Sequence, residues 1–203
     1  MNEATKQNTV NVRYMTVTAM LSAIAFILMY LEFSVPLIPS FIKMDLSDLP
    51  ELIGSFAMGP LCGVLVCLVK NLLHLPFTSS GGVGEFSNFI LGVIFVLPAG
   101  ILYKKKKSRK TALIGSITGA ACMAVVSIAS NYFIVYPFYT MLMPIEQIVA
   151  AYQAIVPSVD GLLECLIVFN MPFTFVKGML NVVITFLIYK HISPILKGTN
   201  RKH

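Results

Sequence analysis

Apolar residues fall along this chain in long unbroken blocks, not in the short alternation of a half-buried strand. The blocks run from Val12 to Phe33, Leu49 to Met58, Leu61 to Leu75, Phe86 to Tyr103, Ala112 to Val135 and Met171 to Tyr189, with a further apolar stretch at Leu162 to Phe169. A hydrocarbon core about 30 Å thick takes roughly 20 apolar residues per helix. The pattern predicts an all-α integral membrane protein of six transmembrane helices in one domain, 1–203, with a polar N-terminal arm (1–11) and a basic C-terminal tail (196–203). The second helix is short. At about ten residues it rises only about 15 Å, so part of the loop before it is expected to dip into the membrane.

Composition agrees: 57% of the 203 residues are hydrophobic, 12% are charged and the mean hydropathy is +0.81. Met1 to Asn11 is polar and the run from Met15 to Phe33 is as long as a span, so no cleavable signal is expected and the N-terminus should stay in the cytoplasm. Cys62, Cys67, Cys122 and Cys165 sit inside apolar stretches without metal-ligand spacing, which reads as four small packing residues and no metal site.

The net charge of +6 changes the picture only through where the bases lie. Lys6 and Arg13, the cluster KKKKSRK at 104–110, and Lys190, Lys197, Arg201 and Lys202 together hold twelve of the 15 bases. Were 49–75 one helix, the central cluster would face outward. A tight turn at Gly59-Pro60 instead puts the cluster and both termini in the cytoplasm, as the bias of bases toward that side requires. This topology places Asp45, Asp48, Glu51, Glu85, Glu146 and Asp160 at or near the outer face. The charges are topological, and a lipid bilayer rather than nucleic acid is the expected surrounding.

The outer loops carry the candidate chemistry. In SVPLIPSFIKMDLSDLPELIG, Pro36 and Pro39 forbid a continuing helix, while Asp48, Pro50 and Glu51 resemble a capping-box start. Loop backbone at membrane depth is tolerated where it is buried or lines a cavity, so this loop is either a plain connector or a cover over something. In the second loop, Glu85 stands at a helix N-terminus, where the dipole favours a carboxylate. It is a cap or a ligand-facing acceptor. Asn88, on the same face with no capping duty, weighs toward the latter, since polar groups in membrane helices mark sites.

The third region, from Ser130 to Asp160, holds Asn131 and the aromatics Tyr132, Phe133, Tyr136, Phe138 and Tyr139, an interfacial belt or a stacking surface. A short surface helix is expected from Pro144 to Ile155. FNMPFTFVKGML then brings Asn170, Thr174 and Lys177 into the start of the last helix, with Lys177 about one and a half turns in. A lysine there costs on the order of 2 to 3 kcal/mol unless it snorkels or pairs, and Glu85, Asn88 and Asn131 offer a polar cluster at similar depth. On the first helix, Ala19 and Ala23, with Ser22 and Ala25 beside them, form a small-residue face for internal packing or for a partner helix. Gly115 and Gly119 form a similar face, assigned to packing inside the bundle.

An enzyme is disfavoured. There are no paired intramembrane aspartates, no His-Glu-x-x-His and no serine with a histidine base, and His74 stands isolated. No nucleotide-binding loop occurs, so any ATP use belongs to partners.

KMDLSDLPELIGSFAMGPLCGV, KNLLHL, GGVGEFSNFILG, SNYFIVYPFY and PFTFVKG, in that order, resemble the riboflavin-specific S components of energy-coupling factor (ECF) vitamin transporters. The resemblance covers about Arg13 to Lys197. It implies a six-helix protein of the cell membrane that captures riboflavin, or FMN, on its outer face and works with a transmembrane coupling protein and two ATPase subunits. It implies ligand-binding roles for Met44, Asp45 and Leu46 in the first loop and for Glu85, Asn88, Asn131, Asn170, Thr174 and Lys177, with Ala19 and Ala23 on the coupling protein. Thr174 departs from the usual asparagine, and Asn170 is a candidate replacement. An S component for another vitamin is the alternative.

A flavin suits these groups chemically. Its imide presents one N–H between two carbonyls, and asparagine matches both kinds of group. Burying about 300 Å² of ring contributes roughly 7 kcal/mol, while nanomolar binding needs about 12. A preformed pocket closed by the first loop is therefore expected.

Overall fold

The computed structural model describes residues 3–36, 38–39, 42–78, 80–141 and 144–197, with backbone alone for 3–11 and 193–197. Helix α1 runs from Glu3 to Tyr30, so the polar arm continues the first helix rather than preceding it; residues 1–2 of the arm and 198–203 of the basic tail lie outside the described residues. Its buried positions Val17, Leu21, Ala25 and Met29 recur every four residues and turn inward, while Val12, Met15, Ile24 and Ile27 face out.

Between α1 and the next helix the chain forms a two-stranded antiparallel ribbon, β1 (Phe33–Ser34) with β2 (Lys43–Met44), pairing Phe33 with Met44 and Ser34 with Lys43. Strands this short carry no alternation, and the sequence read only as loop.

Helices α2 (Asp48–Met58) and α3 (Pro60–His74) are separate, joined at Gly59, whose φ of 105° is open to glycine and strained for other residues. They pack side by side: a Cβ on Gly63 would lie 2.8 Å from the Glu51 carbonyl oxygen. Every residue of α2 from Asp48 to Phe56 is buried, as expected of a helix apolar on most sides and enclosed by others. At 11 residues, α2 rises about 16 Å. The capping box does not form. Ser47 precedes the helix without a side-chain cap, and the Asp48 and Glu51 carboxylates turn inward to Lys70. Both acids therefore lie inside the bundle.

A 3-10 turn (Leu75–Phe77) leads to α4 (Val83–Lys105), which is followed by α5 (Arg109–Ser130). Gly115 and Gly119 do pack inside the bundle, against Ala99 and Phe95 of α4. Cys62, Cys67 and Cys165 are buried, but Cys122 on α5 is exposed, so only three of the four cysteines pack.

Beyond α5 the ladder widens. Asn131–Val135 is a π-helical turn leading into α6 (Tyr136–Tyr139); α7 (Ile145–Gln153) docks through buried Ile148 and Tyr152; and α8 (Leu162–Cys165) passes through a second π turn (Leu166–Asn170) into α9 (Met171–Lys197). Each π turn ends two residues before a proline, Pro137 or Pro172. Proline lacks an N–H and crowds the carbonyl four residues back. The neighbouring bonds accordingly stretch to the fifth residue, Tyr136 N–H to Asn131 O and Met171 N–H to Leu166 O. The stretch at 162–169 is thus the beginning of the last helix.

Among the described residues, five segments are long and apolar enough to cross a membrane: Val12–Tyr30, Pro60–Phe77, Val83–Lys105, Arg109–Tyr139 and Leu162–Ile192.

Candidate functional site

A cavity of about 570 Å³ opens among the ends of α1, α3, α4, α5 and the first half of the last span. Helix geometry explains what lines it. On α3 the buried residues Cys62, Gly63, Val66, Cys67, Lys70 and Asn71 form one stripe, and His74, one turn past Lys70, carries that stripe to the cavity wall. The two π turns do the same for amides, since Asn131 begins one, Asn170 ends the other, and both line the cavity.

Seven of the nine residues expected to bind ligand converge here: Asp45, Glu85, Asn88, Asn131, Asn170, Thr174 and Lys177. Met44 and Leu46 do not line it. In extended backbone successive side chains point to opposite sides, and Lys43 and Asp45 take the cavity side while Met44 packs, 6% exposed.

Glu85 is the centre of a small network. His74 Nδ1 lies 2.8 Å from its Oε1, and Thr78 and Ser80 donate hydroxyl bonds to its Oε2 at 2.8 and 3.3 Å. The helix-start N–H groups of Gly82 and Gly84 are served by the Thr78 and Ser80 hydroxyls instead. His74 is therefore not isolated, and capping is shared out among its neighbours. Ser79 lies outside the described residues.

Lys177 goes elsewhere. With the last span running from Leu162 to Ile192, Lys177 stands at its midpoint, about 20 Å from either end, and not one and a half turns in. Its partner is not Glu85 but Asp45 of the first loop: Nζ donates to Oδ2 at 2.8 Å and lies 3.8 Å from Asp48 Oδ2. The ion pair with Lys177 offsets the cost of burying the Asp45 carboxylate. The loop thus descends to the middle of the bundle, where irregular backbone is tolerated because it lines a cavity.

Beneath the loop lies a group that the sequence reading did not single out. Lys70 is fully buried, with Nζ 2.5 Å from Glu51 Oε1, 3.0 Å from Asp48 Oδ1 and 2.6 Å from Ser47 Oγ. A lone lysine at such a place costs about 2.5 to 3.5 kcal/mol in a membrane helix, so its acids are what permit it. The signal was present in the three-to-four-residue spacing of Lys70, Asn71 and His74 on α3, opposite exposed Leu68, Leu72 and Leu73.

The amides are held in defined orientations. Asn131 Nδ2 donates to Ser127 O at 2.8 Å, and among the described residues Asn88 Nδ2 meets only the weak acceptor Met29 Sδ at 3.9 Å. Tyr152 donates to Asn170 Oδ1 at 2.8 Å and is itself bonded to Tyr136, which also lines the cavity. Burial pushes the Tyr152 hydroxyl well up, so it keeps the proton it donates. With its oxygen engaged, Asn170 has its N–H₂ to offer a ligand. On the far side of α1, Ala19 and Ala23 are exposed, whereas Ser22 and Ala25 turn inward and are not part of that face.

An open cavity lined by amides, hydroxyls and acids and lysines already engaged in ion pairs is suited to hold a neutral ligand with both donors and acceptors. Among the described residues no group of three or more His, Cys, Asp or Glu could hold a metal ion.

The comparisons agree with this fold. The chain is similar to the riboflavin transporter RibU of Staphylococcus aureus (strain TCH60), 34% identical over 97% of this chain and 99% of the relative, and to the riboflavin transporter FmnP of Bacillus subtilis (strain 168), 32% identical over 95% and 98%. A solved chain described as "Structure and mechanism of the S component of a bacterial ECF transporter" superposes with a TM-score of 0.73 at 32% identity, covering 92% of this chain and 99% of that one. The family described as "ECF transporter, substrate-specific component" matches residues 13–189, and to that family this chain belongs.

Proposed function

We propose that this chain captures riboflavin, with FMN as a second candidate ligand, on the extracellular side of the cell membrane. It then delivers the ligand inward together with an energising module of a transmembrane coupling protein and two ATPase subunits, which alone use ATP. The observation that carries this reading is the convergence of Asp45, Glu85, Asn88, Asn131, Asn170, Thr174 and Lys177 on one cavity of about 570 Å³. That volume lies within the usual range of roughly 300 to 1,000 Å³ for small-molecule sites. The cavity offers the mixed donors and acceptors an isoalloxazine imide and a ribityl chain require. Tyr136, Tyr139 and Phe173 supply ring surface for stacking. Met44 and Leu46 support the loop that carries Asp45, rather than touching the ligand.

The topology proposed with this function has six crossings and both termini in the cytoplasm. Helix α2 completes the second crossing with the descending first loop, and the cluster at 104–110 lies inside. In intact cells a cysteine replacing exposed Ser158 should react with an impermeant thiol reagent while one replacing Ser108 should not; labelling at 108 would reverse the orientation. Ala19 and Ala23 are the proposed contact for the coupling protein.

Purification tests the ligand directly. Protein made in cells grown without added vitamin should emerge yellow with a flavin absorption spectrum, and the stripped protein should regain it on addition of riboflavin. A colourless protein that gives no heat on titration with riboflavin would overturn the assignment.

A further inference from the structure

Lys70 does not line the cavity, yet it is fully buried and its three described partners sit on two different elements. Glu51 belongs to α2 proper. Asp48 opens that helix, and Ser47 ends the loop that lines the cavity, two residues after Asp45. From Lys70 the contacts run on without a gap: Nζ donates to Ser47 Oγ at 2.6 Å, the Ser47 N–H donates to Asp45 Oδ1 at 2.8 Å, and Asp45 Oδ2 accepts from Lys177 at 2.8 Å. Asp48 stands between the two lysines, 3.0 Å from one and 3.8 Å from the other.

We propose that Lys70 is a positioning residue that locks the segment Asp45–Asp48 in its closed place over the cavity, and so sets how slowly captured ligand escapes. The inference rests on the riboflavin reading given above. Its physical argument is the asymmetry of the chain of charges. Lys177 alone reaches the loop from the cavity side, where an incoming ligand competes for it. Lys70 reaches the same loop from behind, where no ligand competes, so its hold persists when the cavity is occupied. A lysine needed only to neutralise Glu51 would have no use for Ser47, and apolar packing in place of a buried ion pair is often no less stable. The contact to Ser47, and the one to Asp48 where the loop enters α2, are what tie α3 to the loop.

A lock of this kind acts on release more than on capture, because loosening a cover lowers the barrier to exit without changing the encounter. The test measures riboflavin association and dissociation by stopped-flow fluorescence on the full chain in detergent, together with melting of the ligand-free protein. Lys70→Met should speed dissociation about tenfold or more, and Ser47→Ala, which removes one bond to the loop, about threefold, with association within about twofold in both. Glu51→Gln, on the helix arm of the same cluster, should leave dissociation near the wild-type rate. Ser47→Ala should also melt like the wild type, so it decides the matter if Lys70→Met does not fold. Dissociation unchanged in Ser47→Ala, or accelerated as much by Glu51→Gln, would overturn the lock in favour of a bundle-stabilising cluster. A wild-type protein that binds no riboflavin would overturn the functional reading and this inference with it.

Discussion

The two ends of this bundle are built on opposite rules. Toward the basic cluster, helices meet backbone to backbone through small residues: a Cβ on Gly119 would lie 2.2 Å from the Phe95 carbonyl oxygen, one on Gly115 2.9 Å from Ala99 Cα, and one on Gly100 2.9 Å from Pro60 Cα. Toward the cavity, helices are held apart by an irregular loop, two π turns and a set of buried ions. Close approach gains dispersion contacts and leaves no void. A cavity forfeits those contacts and must be kept open by something stiff, and ion pairs buried among helices supply that stiffness because breaking one leaves an uncompensated charge. The packed end makes the open end affordable.

Breaking the packed end should have the largest effect. Gly119→Leu forces a branched side chain into the Phe95 backbone, where overpacking costs about 3 kcal/mol or more. We expect little folded monomer by size-exclusion chromatography and no flavin binding in what remains. Recovery of a well-folded variant would show that the helices are free to separate there.

At the cavity end, Lys177→Met should abolish measurable flavin binding and lower the melting temperature, since it strands Asp45 and breaking a buried pair costs about 3 to 5 kcal/mol. Adding Asp45→Asn should restore much of the melting temperature but not the affinity. If the double variant recovers both, Lys177 serves the loop and not the ligand.

Much of this division was legible in the chain. Long apolar blocks fixed the helices because burial in lipid tolerates no other pattern, and Glu85 and Asn88 stood out because polarity at membrane depth is costly. Other features were hidden for physical reasons. The stretch at 162–169 read as separate from the last helix, whereas a π turn ending at Asn170 joins the two; the separate reading set Lys177 about one and a half turns in, beside a polar cluster of Glu85, Asn88 and Asn131, while its charge pairs with Asp45. The spacing of Lys70, Asn71 and His74 marks a polar stripe on α3, but not what it meets: Lys70 passed unmarked and His74 read as isolated because each finds its acid across the bundle, at Glu51 and Asp48 for the one and Glu85 for the other.

The outward face of α1 sharpens the comparison from a third side. Ala19 and Ala23 are exposed and touch neither the packed core nor the cavity. Replacing both with leucine should leave riboflavin affinity of the isolated protein within about twofold while preventing co-purification with the coupling module. A parallel loss of affinity would return this face to bundle packing.

The most direct test of the account is a calorimetric titration of wild type and Glu85→Gln with riboflavin and with a flavin lacking the ribityl chain. If Glu85, held by His74, Thr78 and Ser80, accepts a ribityl hydroxyl, the substitution removes a charged acceptor worth about 1.5 to 3 kcal/mol. Riboflavin should then bind roughly tenfold or more weaker, and the shortened flavin should bind both proteins almost equally. Equal weakening of both ligands, or unchanged binding with a lower melting temperature, would make Glu85 a structural strut and contradict the site proposed here.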